Sequence, residues 1–285
     1  MELTILQFFE MIRCGFAYFL ACLFSLFGET LFLVVLICLV YWIYDKKLGE
    51  RLVLTSFSSI PVNGGIKSAV SRPRPYTTGL VSRVEIDNPL ISTMELAPNE
   101  SFPSGHSQMS AGLFFSGAFH FRKKWGWILF PLLTLGVMLS RLYFGVHYPT
   151  DVLVGATLGI AFACIWQYIY KKFEKQKFII AGVFALVYLV ICLIAPTESL
   201  VKSVACLCGI VVGIPLENKF IDFENHTLPK KNLARAGIGL LCVGAEYLLF
   251  SLLLPDILIM SFIKYFILVI VATMLAPYLF KKLKI

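Results

Sequence analysis

Charged residues are scarce in this chain. Asp, Glu, Lys and Arg make up 15% of its 285 residues, 58% are hydrophobic, and the mean hydropathy is +0.81. Because soluble domains carry about 25% charged residues, this composition excludes an ordinary soluble globule. Apolar runs of about 20 residues, in place of short alternating segments, predict membrane-spanning helices. We therefore expect an all-α, polytopic membrane helical bundle.

Metal and disulfide signals are also missing. The eight cysteines include no Cys-x-x-Cys pair and no Cys/His cluster with zinc spacing, so we expect no disulfide, no metal and no cofactor. The first residues carry no basic segment followed by a cleavage site, so we expect no cleavable signal peptide. The net charge of +8 lies in short loops, which favours membrane topology over nucleic-acid binding.

The apolar runs predict about nine spans. Residues 1–27 are interrupted by Glu10 and Arg13, and we interpret them as an interfacial amphipathic helix. We expect a core over residues 28–195 and a C-terminal transmembrane extension over residues 196–285. The predicted spans cover approximately residues 29–45, 50–68, 105–121, 125–144, 150–170, 178–195, 200–216, 236–254 and 260–280.

Three polar clusters lie at the ends of the predicted spans. Cations such as Lys67, Arg74 and Arg141 can neutralise a phosphate together, and arginine forks match its oxygens in pairs. Lys67 or Arg72 alone is better explained by a side chain that reaches toward lipid headgroups, whereas Arg74 and Arg141, beside the histidine clusters, favour a phosphate. The combination of cations, a helix start and histidines favours a phosphate site. The clusters are Lys67-x6-Arg74-Pro75, Pro103-Ser104-Gly105-His106 and Ser140-Arg141-x5-His147-x3-Asp151.

The second and third clusters each allow two interpretations. Ser104 is a good N-cap residue, so the second cluster is compatible with an ordinary helix start. A helix N-terminus also binds anions through its N–H groups, and Gly105 lets the backbone come close. Asp151 is compatible with a simple helix cap, or with a carboxylate that orients His147 as in nucleophile–base–orienter arrangements.

The distribution of Lys and Arg predicts which side of the membrane these clusters face. By the positive-inside rule, the connections rich in basic residues are cytoplasmic. The three clusters and the long acidic connection 76–102, a candidate binding loop, then lie on the outer face, and the C-terminus is cytoplasmic. Seventeen of the 25 basic residues lie in the alternate connections: Lys46, Lys47, Arg51, Arg122, Lys123, Lys124, Lys171, Lys172, Lys175, Lys177, Lys219, Lys230, Lys231, Arg235, Lys281, Lys282 and Lys284.

In their order and spacing, the three clusters resemble the signature motifs of the type 2 phosphatidic acid phosphatase superfamily. Every motif position matches, and the resemblance covers about residues 28–175. The stretches Ser25–Glu29 and Tyr41-Trp42 also look like bacterial members. The resemblance implies a six-helix phosphatase core, to which residues 196–285 add helices, as in the longer bundles of sphingoid-phosphate and glucose-6-phosphate phosphatases.

The resemblance also implies a role for each residue of a metal-independent phosphatase. His147 would attack phosphorus to give a phosphohistidine, Asp151 would support it, and His106 would protonate the leaving oxygen. The rate would then fall at low pH as His147 is protonated, and at high pH as His106 loses its proton. The phosphate would be bound by Lys67, Arg74, Ser104, Gly105 and Arg141.

The sequence therefore predicts an integral membrane phosphatase acting on a lipid phosphate or diphosphate, with undecaprenyl diphosphate as the first candidate substrate. Phosphatidate, phosphatidylglycerophosphate and sphingoid phosphates are the alternatives. A sugar-phosphate phosphatase is less favoured, as is a non-hydrolytic lipid transporter, since no repeated pair of interrupted helices is visible. The expected partners are the lipid substrate and the bilayer, and the oligomeric state stays open.

A few residues fall outside this assignment. The motif spacing selects Arg74, so we interpret Arg72 as a bystander. Glu246, deep in the predicted eighth span, is either a functional residue or a structural one paired with Lys264 or Arg235. Small-residue spacings predict close helix contacts at Gly155-x3-Gly159 and Gly209-x3-Gly213.

Overall fold

The computed structural model describes residues 1–86, 91, 97–225 and 228–285, and all regular structure in these ranges is helical. Short helical turns of other types occur at Pro75–Thr78, Val40–Tyr44, Glu174–Gln176 and Val271–Leu275. The prediction of an all-α fold is confirmed for this part of the chain. The α-helices are α1 (Glu2–Met11), α2 (Gly15–Leu26), α3 (Thr30–Leu39), α4 (Lys46–Val70), α5 (Gly105–Phe121), α6 (Lys124–Tyr143), α7 (Pro149–Lys172), α8 (Lys177–Ile194), α9 (Glu198–Phe220), α10 (Pro229–Leu253), α11 (Leu258–Ile270) and α12 (Ala276–Lys282).

Within the described ranges, six helical segments are long and apolar enough to cross a membrane, so the chain is a multi-pass membrane protein. A seventh span is possible if α2 and Thr30–Tyr44, bent by 51°, count as one. α4 does not qualify, and α5 has 17 residues, so the count of nine stays a prediction. The six segments are Lys124–Tyr143, Pro149–Lys172, Glu174–Ile194, Glu198–Phe220, Pro229–Leu253 and Leu258–Lys282.

The N-terminal segment differs from the prediction of one interfacial helix over residues 1–27. The segment forms two helices, α1 and α2, with a break around Arg13, so the prediction of a single helix is wrong. An interfacial position for residues 1–27 stays a prediction. The Arg13 guanidinium donates to Glu10 Oε1 at 3.2 Å and to the carbonyl oxygens of Ser82 and Tyr143 at 2.7 and 3.3 Å. A buried or half-buried cation needs such partners, and we attribute the break to this requirement.

The chain divides into two compact units, and the first comprises residues 1–34 and 62–167. In this unit α6 packs against α5, α2 and α1. Leu6 of α1 is fully buried in a cluster with Leu142 and Tyr148. A second cluster buries Phe144 and Val146. Apolar packing on both sides therefore fixes the chain between α6 and α7.

The second unit comprises residues 35–61 and 168–285, and α9 packs there against α8 and α11. A Cβ atom on Gly209 would lie 2.8 Å from Val269, and one on Gly213 would lie 2.2 Å from Thr273. The predicted close contact at this glycine pair is confirmed. Trp42 Nε1 donates to the Ala272 carbonyl at 2.8 Å within the same unit.

Candidate active site

The turn between α6 and α7 carries His147. Gly145 in this turn has a φ of +69°, a conformation that favours glycine, and a Cβ there would lie 2.6 Å from the Ser82 carbonyl oxygen. Val84 N donates to the Phe144 carbonyl at 3.1 Å. The turn is thus held against the segment 82–84, and His147 is buried.

The two ring nitrogens of His147 face different groups. Nδ1 lies 3.4 Å from Asp151 Oδ2, a distance for ion pairing, although the alignment gives no hydrogen bond. Nε2 lies 3.3 Å from Arg74 Nη1. The carboxylate favours the tautomer with its proton on Nδ1, which leaves the Nε2 lone pair beside the Arg74 guanidinium. In this tautomer Nε2 is the ring nitrogen that can act as an acceptor or as a nucleophile.

The Asp151 carboxylate is itself held by several donors. Oδ2 accepts from Ser101 Oγ and, at 2.8 Å, from the backbone N–H of Tyr148. Oδ1 accepts from Arg72 Nη1 at 2.8 Å. Asp151 lies in the first turn of α7, where an acidic residue is favoured by the helix dipole. It therefore stabilises the start of the helix and faces His147 at the same time.

The interpretation of Arg72 as a bystander is wrong. Besides its bond to Asp151, Arg72 donates to Thr150 Oγ1 and to Glu2 Oε2, both at 2.6 Å, and lies 3.9 Å above the Tyr148 ring. Glu2 Oε1 also accepts from the backbone N–H of Thr150 at 3.1 Å. α1 thus supplies a carboxylate that positions Arg72 behind Asp151. The motif spacing gave no signal for this contact, because Glu2 and Arg72 lie 70 residues apart.

Arg74 and Lys67 meet at one backbone carbonyl. Arg74 is buried and donates to the carbonyl oxygens of Ala97 at 2.8 Å, Val146 at 2.9 Å and Glu100 at 3.0 Å. Lys67 Nζ donates to the same Glu100 oxygen at 2.6 Å. The end of the connection 76–102 therefore holds both cations. Of the residues that make this connection acidic and proline-containing, Asp87, Pro89 and Glu95 lie outside the described part of the chain.

Ser104 caps α5, as one of the two interpretations predicted. Its Oγ accepts from Ser107 N at 3.4 Å, and its own N–H donates to the Asp151 carbonyl at 2.9 Å. A Cβ on Gly155 would lie 2.4 Å from the Ser104 carbonyl oxygen, so this glycine lets α7 approach the start of α5. The close contact predicted for Gly155 and Gly159 is confirmed, since a Cβ on Gly159 would lie 2.2 Å from the carbonyl oxygen of Gln108.

The start of α5 also suits an anion. Among the described residues, a Cβ on Gly105 would come within 4 Å of Asn63 Oδ1 alone, at 3.8 Å, which leaves room beside this residue for a ligand. The first N–H groups of a helix have no carbonyl acceptor within the helix, and the dipole there favours negative charge. Capping by Ser104 and anion binding are therefore compatible at this helix start.

His106 and Arg141 share a second carboxylate. His106 Nε2 lies 3.1 Å from Glu29 Oε1, and Arg141 Nη1 lies 4.0 Å from the same oxygen. Arg141 is fully buried and donates through Nη2 to Ser25 Oγ, while its Nη1 has no hydrogen-bond partner among the described residues. An unsatisfied buried donor is costly, and a bound phosphate oxygen would satisfy it.

The eight predicted site residues all lie in the first unit, and their charges act on one another. His147 experiences the charges of Arg74 and Lys67, and His106 those of Arg141 and Lys67. Three cations close to two histidines are an arrangement with the charge that an oxyanion requires. His120 lies in the last turn of α5, at the opposite end of that helix from His106. His226 lies outside the described residues.

Glu246 in the second unit is buried, and neither carboxylate oxygen has a hydrogen-bond partner within the described ranges. The pairing suggested from sequence is not observed. Lys264 donates to Ser251 Oγ, and Arg235 donates to the carbonyl oxygens of Ile285 and Trp42. The role of Glu246 stays open.

Fold and site together define a multi-pass helical membrane protein with carboxylate-supported histidines amid cations. The family model described as "PAP2 superfamily" matches residues 48–175, and "PAP2 superfamily phosphatase, transmembrane extension" matches residues 201–285. The chain belongs to the PAP2 superfamily, which includes phosphatases.

Several curated proteins are similar to this chain. The Bacillus licheniformis "Bacitracin transport permease protein BcrC" is 33% identical over 42% of this chain and 57% of its own length. The Sulfolobus acidocaldarius "Undecaprenyl-diphosphatase" is 30% identical over 40% of this chain and 51% of its own length. The Bacillus subtilis "Phosphatidylglycerophosphatase B" is 30% identical over 52% of this chain and 71% of its own length. The chain thus spans little more than half of the first two relatives. No solved structure matches it.

Proposed function

We propose that the chain is an integral membrane phosphatase that hydrolyses a lipid phosphate or diphosphate through a phosphohistidine on His147. The observation that carries this proposal is the convergence of two histidines, each beside a carboxylate, on a group of three cations in one unit. Membership of the PAP2 superfamily and the names of the relatives support it.

Each residue of the proposed site has a separate role in phosphoryl transfer. Nε2 of His147 forms a bond to phosphorus as the bond to the leaving oxygen breaks, and that oxygen takes the electron pair and a proton from His106. Water then attacks the phosphohistidine and gives a proton to His106, and His147 departs with the electron pair of the P–N bond. Arg74, Lys67 and Arg141 stabilise the charge on the transferring group, which is the main task in this chemistry.

A polyprenyl diphosphate, with undecaprenyl diphosphate as the first candidate, is the proposed substrate. The Sulfolobus acidocaldarius relative carries the name undecaprenyl-diphosphatase. Phosphatidylglycerophosphate is the next candidate because the Bacillus subtilis relative is named phosphatidylglycerophosphatase B. From the basic connections, the positive-inside rule predicts that the site lies on the extracytoplasmic face and the C-terminus in the cytoplasm. A reporter fused after Ile285 that is active only in the cytoplasm supports this orientation, and one active outside contradicts it.

The first test is phosphate release by the purified full chain in lipid nanodiscs. The panel contains undecaprenyl diphosphate, phosphatidate, phosphatidylglycerophosphate, sphingosine phosphate and glucose 6-phosphate, each with and without a chelator. We expect the diphosphate to be hydrolysed fastest, and activity to persist in chelator because the proposed groups that neutralise the phosphate are side chains. Loss of all activity in chelator would contradict the metal-independent mechanism.

Non-hydrolytic transport of a phospholipid is the second candidate function. One relative is named a transport permease, which favours it. A transporter needs the phosphate-binding cations but has no use for a nucleophile or a proton donor. Binding of vanadate or of the lipid without any turnover across the panel would select transport.

The pH profile is expected to lack an acid limb near neutrality. Burial lowers the pKa of His147 to about 3; the Arg74 charge acts in the same direction, and Asp151 opposes it. A lowered histidine pKa keeps the nucleophile neutral as the pH falls, so protonation of His147 limits the rate only well below pH 6.5 and not near neutrality as the sequence suggested. The measurement is kcat/KM from pH 4 to 9, corrected for the phosphate ionisation near pH 6. A residual inflection between pH 6 and 7 would contradict the expectation.

A further inference from the structure

The break between α2 and α3 brings a carboxylate to the candidate active site. α2 and the segment Thr30–Tyr44 are bent by 51° relative to each other, and Glu29 lies at the break. Interruptions of apolar helices are tolerated where they are buried in protein or line a cavity. Glu29 is 5% exposed, so its charge requires partners.

The partners of Glu29 include two residues of the proposed machinery and one serine. Its Oε1 lies 3.1 Å from His106 Nε2, 3.1 Å from Ser25 Oγ and 4.0 Å from Arg141 Nη1. Ser25 Oγ also accepts from Arg141 Nη2. These contacts therefore connect the carboxylate, the histidine and the buried guanidinium.

Gly28 allows this arrangement. A Cβ at this position would lie 3.1 Å from Cβ and Cδ2 of His106 and 2.8 Å from Val137. The turn between α2 and α3 is thus in direct contact with the His106 side chain. The backbone next to Glu29 is therefore held close to the imidazole.

We propose that Glu29 is the positioning residue of His106, so that each histidine of the site has its own orienting carboxylate. This inference rests on the proposed function, because it assigns His106 a proton to deliver. The charged groups that face His106 are Glu29 from the turn, Arg141 from α6 and Lys67 from α4. Glu29 is the anion among them, and it offsets two cations that would otherwise disfavour the protonated imidazole.

The contact also determines which nitrogen reacts. The Glu29 carboxylate can only accept at this contact, so it favours the tautomer with a proton on Nε2 and leaves Nδ1 as the nitrogen that exchanges a proton with the substrate. In the first step the proton on Nδ1 moves to the leaving oxygen as that oxygen takes the electron pair of the broken P–O bond. In the second step Nδ1 accepts a proton from the attacking water. Glu29 stays ionised and hydrogen-bonded to Nε2–H in both steps.

The test compares two substrates that differ in their leaving group and share the same lipid chain, farnesyl phosphate and farnesyl diphosphate. The alkoxide leaving group of the monophosphate needs a proton, whereas the phosphate leaving group of the diphosphate is already acidic. We expect Glu29→Gln to lower kcat on the monophosphate about 10- to 100-fold more than on the diphosphate. This ratio does not depend on how much of the variant is folded.

Two controls separate positioning from a structural role. Glu10→Gln removes the same charge from a residue of the same unit that contacts Ser82 and Arg13, and should leave the ratio unchanged. In a His106→Ala background, Glu29→Gln should change the ratio no further, since Glu29 acts through His106. If Glu29→Gln yields no folded protein, Glu29→Asp should change the ratio in the same direction and by less.

The outcomes distinguish the inference from the proposed function. A wild-type chain that releases no phosphate from either substrate overturns the proposed function and this inference with it. An active wild-type chain whose substrate ratio is the same in Glu29→Gln overturns the inference alone. A further change of the ratio in the His106→Ala background also contradicts it, because Glu29 would then act by another route.

Discussion

Replacing His147 by alanine is expected to lower kcat by about 10⁴- to 10⁶-fold on every substrate of the chain, because the variant has no nucleophile to carry the phosphoryl group. Nε2 of His147 lies beside Arg74 and has its opposite nitrogen facing Asp151, the geometry that a neutral attacking imidazole needs. The effect should fall on kcat and leave phosphate binding largely intact, since the cations remain.

His120→Ala is the matched control for this variant. It removes a histidine from the last turn of α5, whereas His106 lies in the first turn of the same helix, and we expect wild-type turnover. The direct measurement is labelling with a ³²P-labelled lipid phosphate, quenched in alkaline detergent, which should give an acid-labile, alkali-stable adduct in the wild type and none in His147→Ala. Turnover of His147→Ala within tenfold of the wild type would exclude the phosphohistidine route.

The parts of the candidate site that could be predicted from the sequence are those whose residues are close together in the chain. Within the third cluster, His147 and Asp151 are four residues apart, and one tight turn at Gly145 brings the imidazole to the carboxylate. Pro103-Ser104-Gly105-His106 begins a helix, and both the cap and the anion cradle follow from helix geometry. Short spacings of this kind are fixed by the backbone and therefore visible in the motif.

The contacts that position these residues were not predictable in the same way. Glu2 reaches Arg72 across 70 residues, and Glu29 reaches His106 across 77. The pattern of residues 1–27 predicts one helix, so it indicates neither of the breaks on either side of α2. The stretch Ser25–Glu29 resembles bacterial members of the superfamily, but nothing in it indicates that Glu29 has a histidine partner. Tertiary contacts between distant polar residues leave no periodic signal.

The helical class followed directly from composition, whereas the number of spans did not. Apolar runs gave six segments that the structure bears out as span-length helices. α4 carries Glu50, Arg51 and Asn63 within its length, so hydropathy alone could not decide its place in a bilayer. Helices that contribute to a polar site lose the apolar pattern that prediction depends on.

The second large effect is expected from Arg141→Lys, which should lower kcat/KM about 10²- to 10³-fold although the charge is retained. Nη2 of the Arg141 guanidinium donates a hydrogen bond to Ser25, whereas the buried Nη1 has no hydrogen-bond partner among the described residues. A planar fork held in this way can give a phosphate oxygen a donor of fixed direction. A lysine ammonium is a point charge on a flexible stem, and it cannot bond Ser25 and the phosphate with the same geometry.

The loss should appear mainly in kcat, because the charge on the transferring oxygens is greatest in the transition state, and an interaction stronger there than in the ground state raises kcat. Vanadate, which resembles that state, should bind Arg141→Lys at least tenfold more weakly than the wild type. Arg83→Lys is the matched control: Arg83 lies over the Tyr76 ring at 5.2 Å, has no place in the proposed site, and should tolerate the change. If Arg141→Lys retained turnover and vanadate affinity within threefold of the wild type, charge alone would suffice, and the directional donor assigned to Nη1 would be wrong.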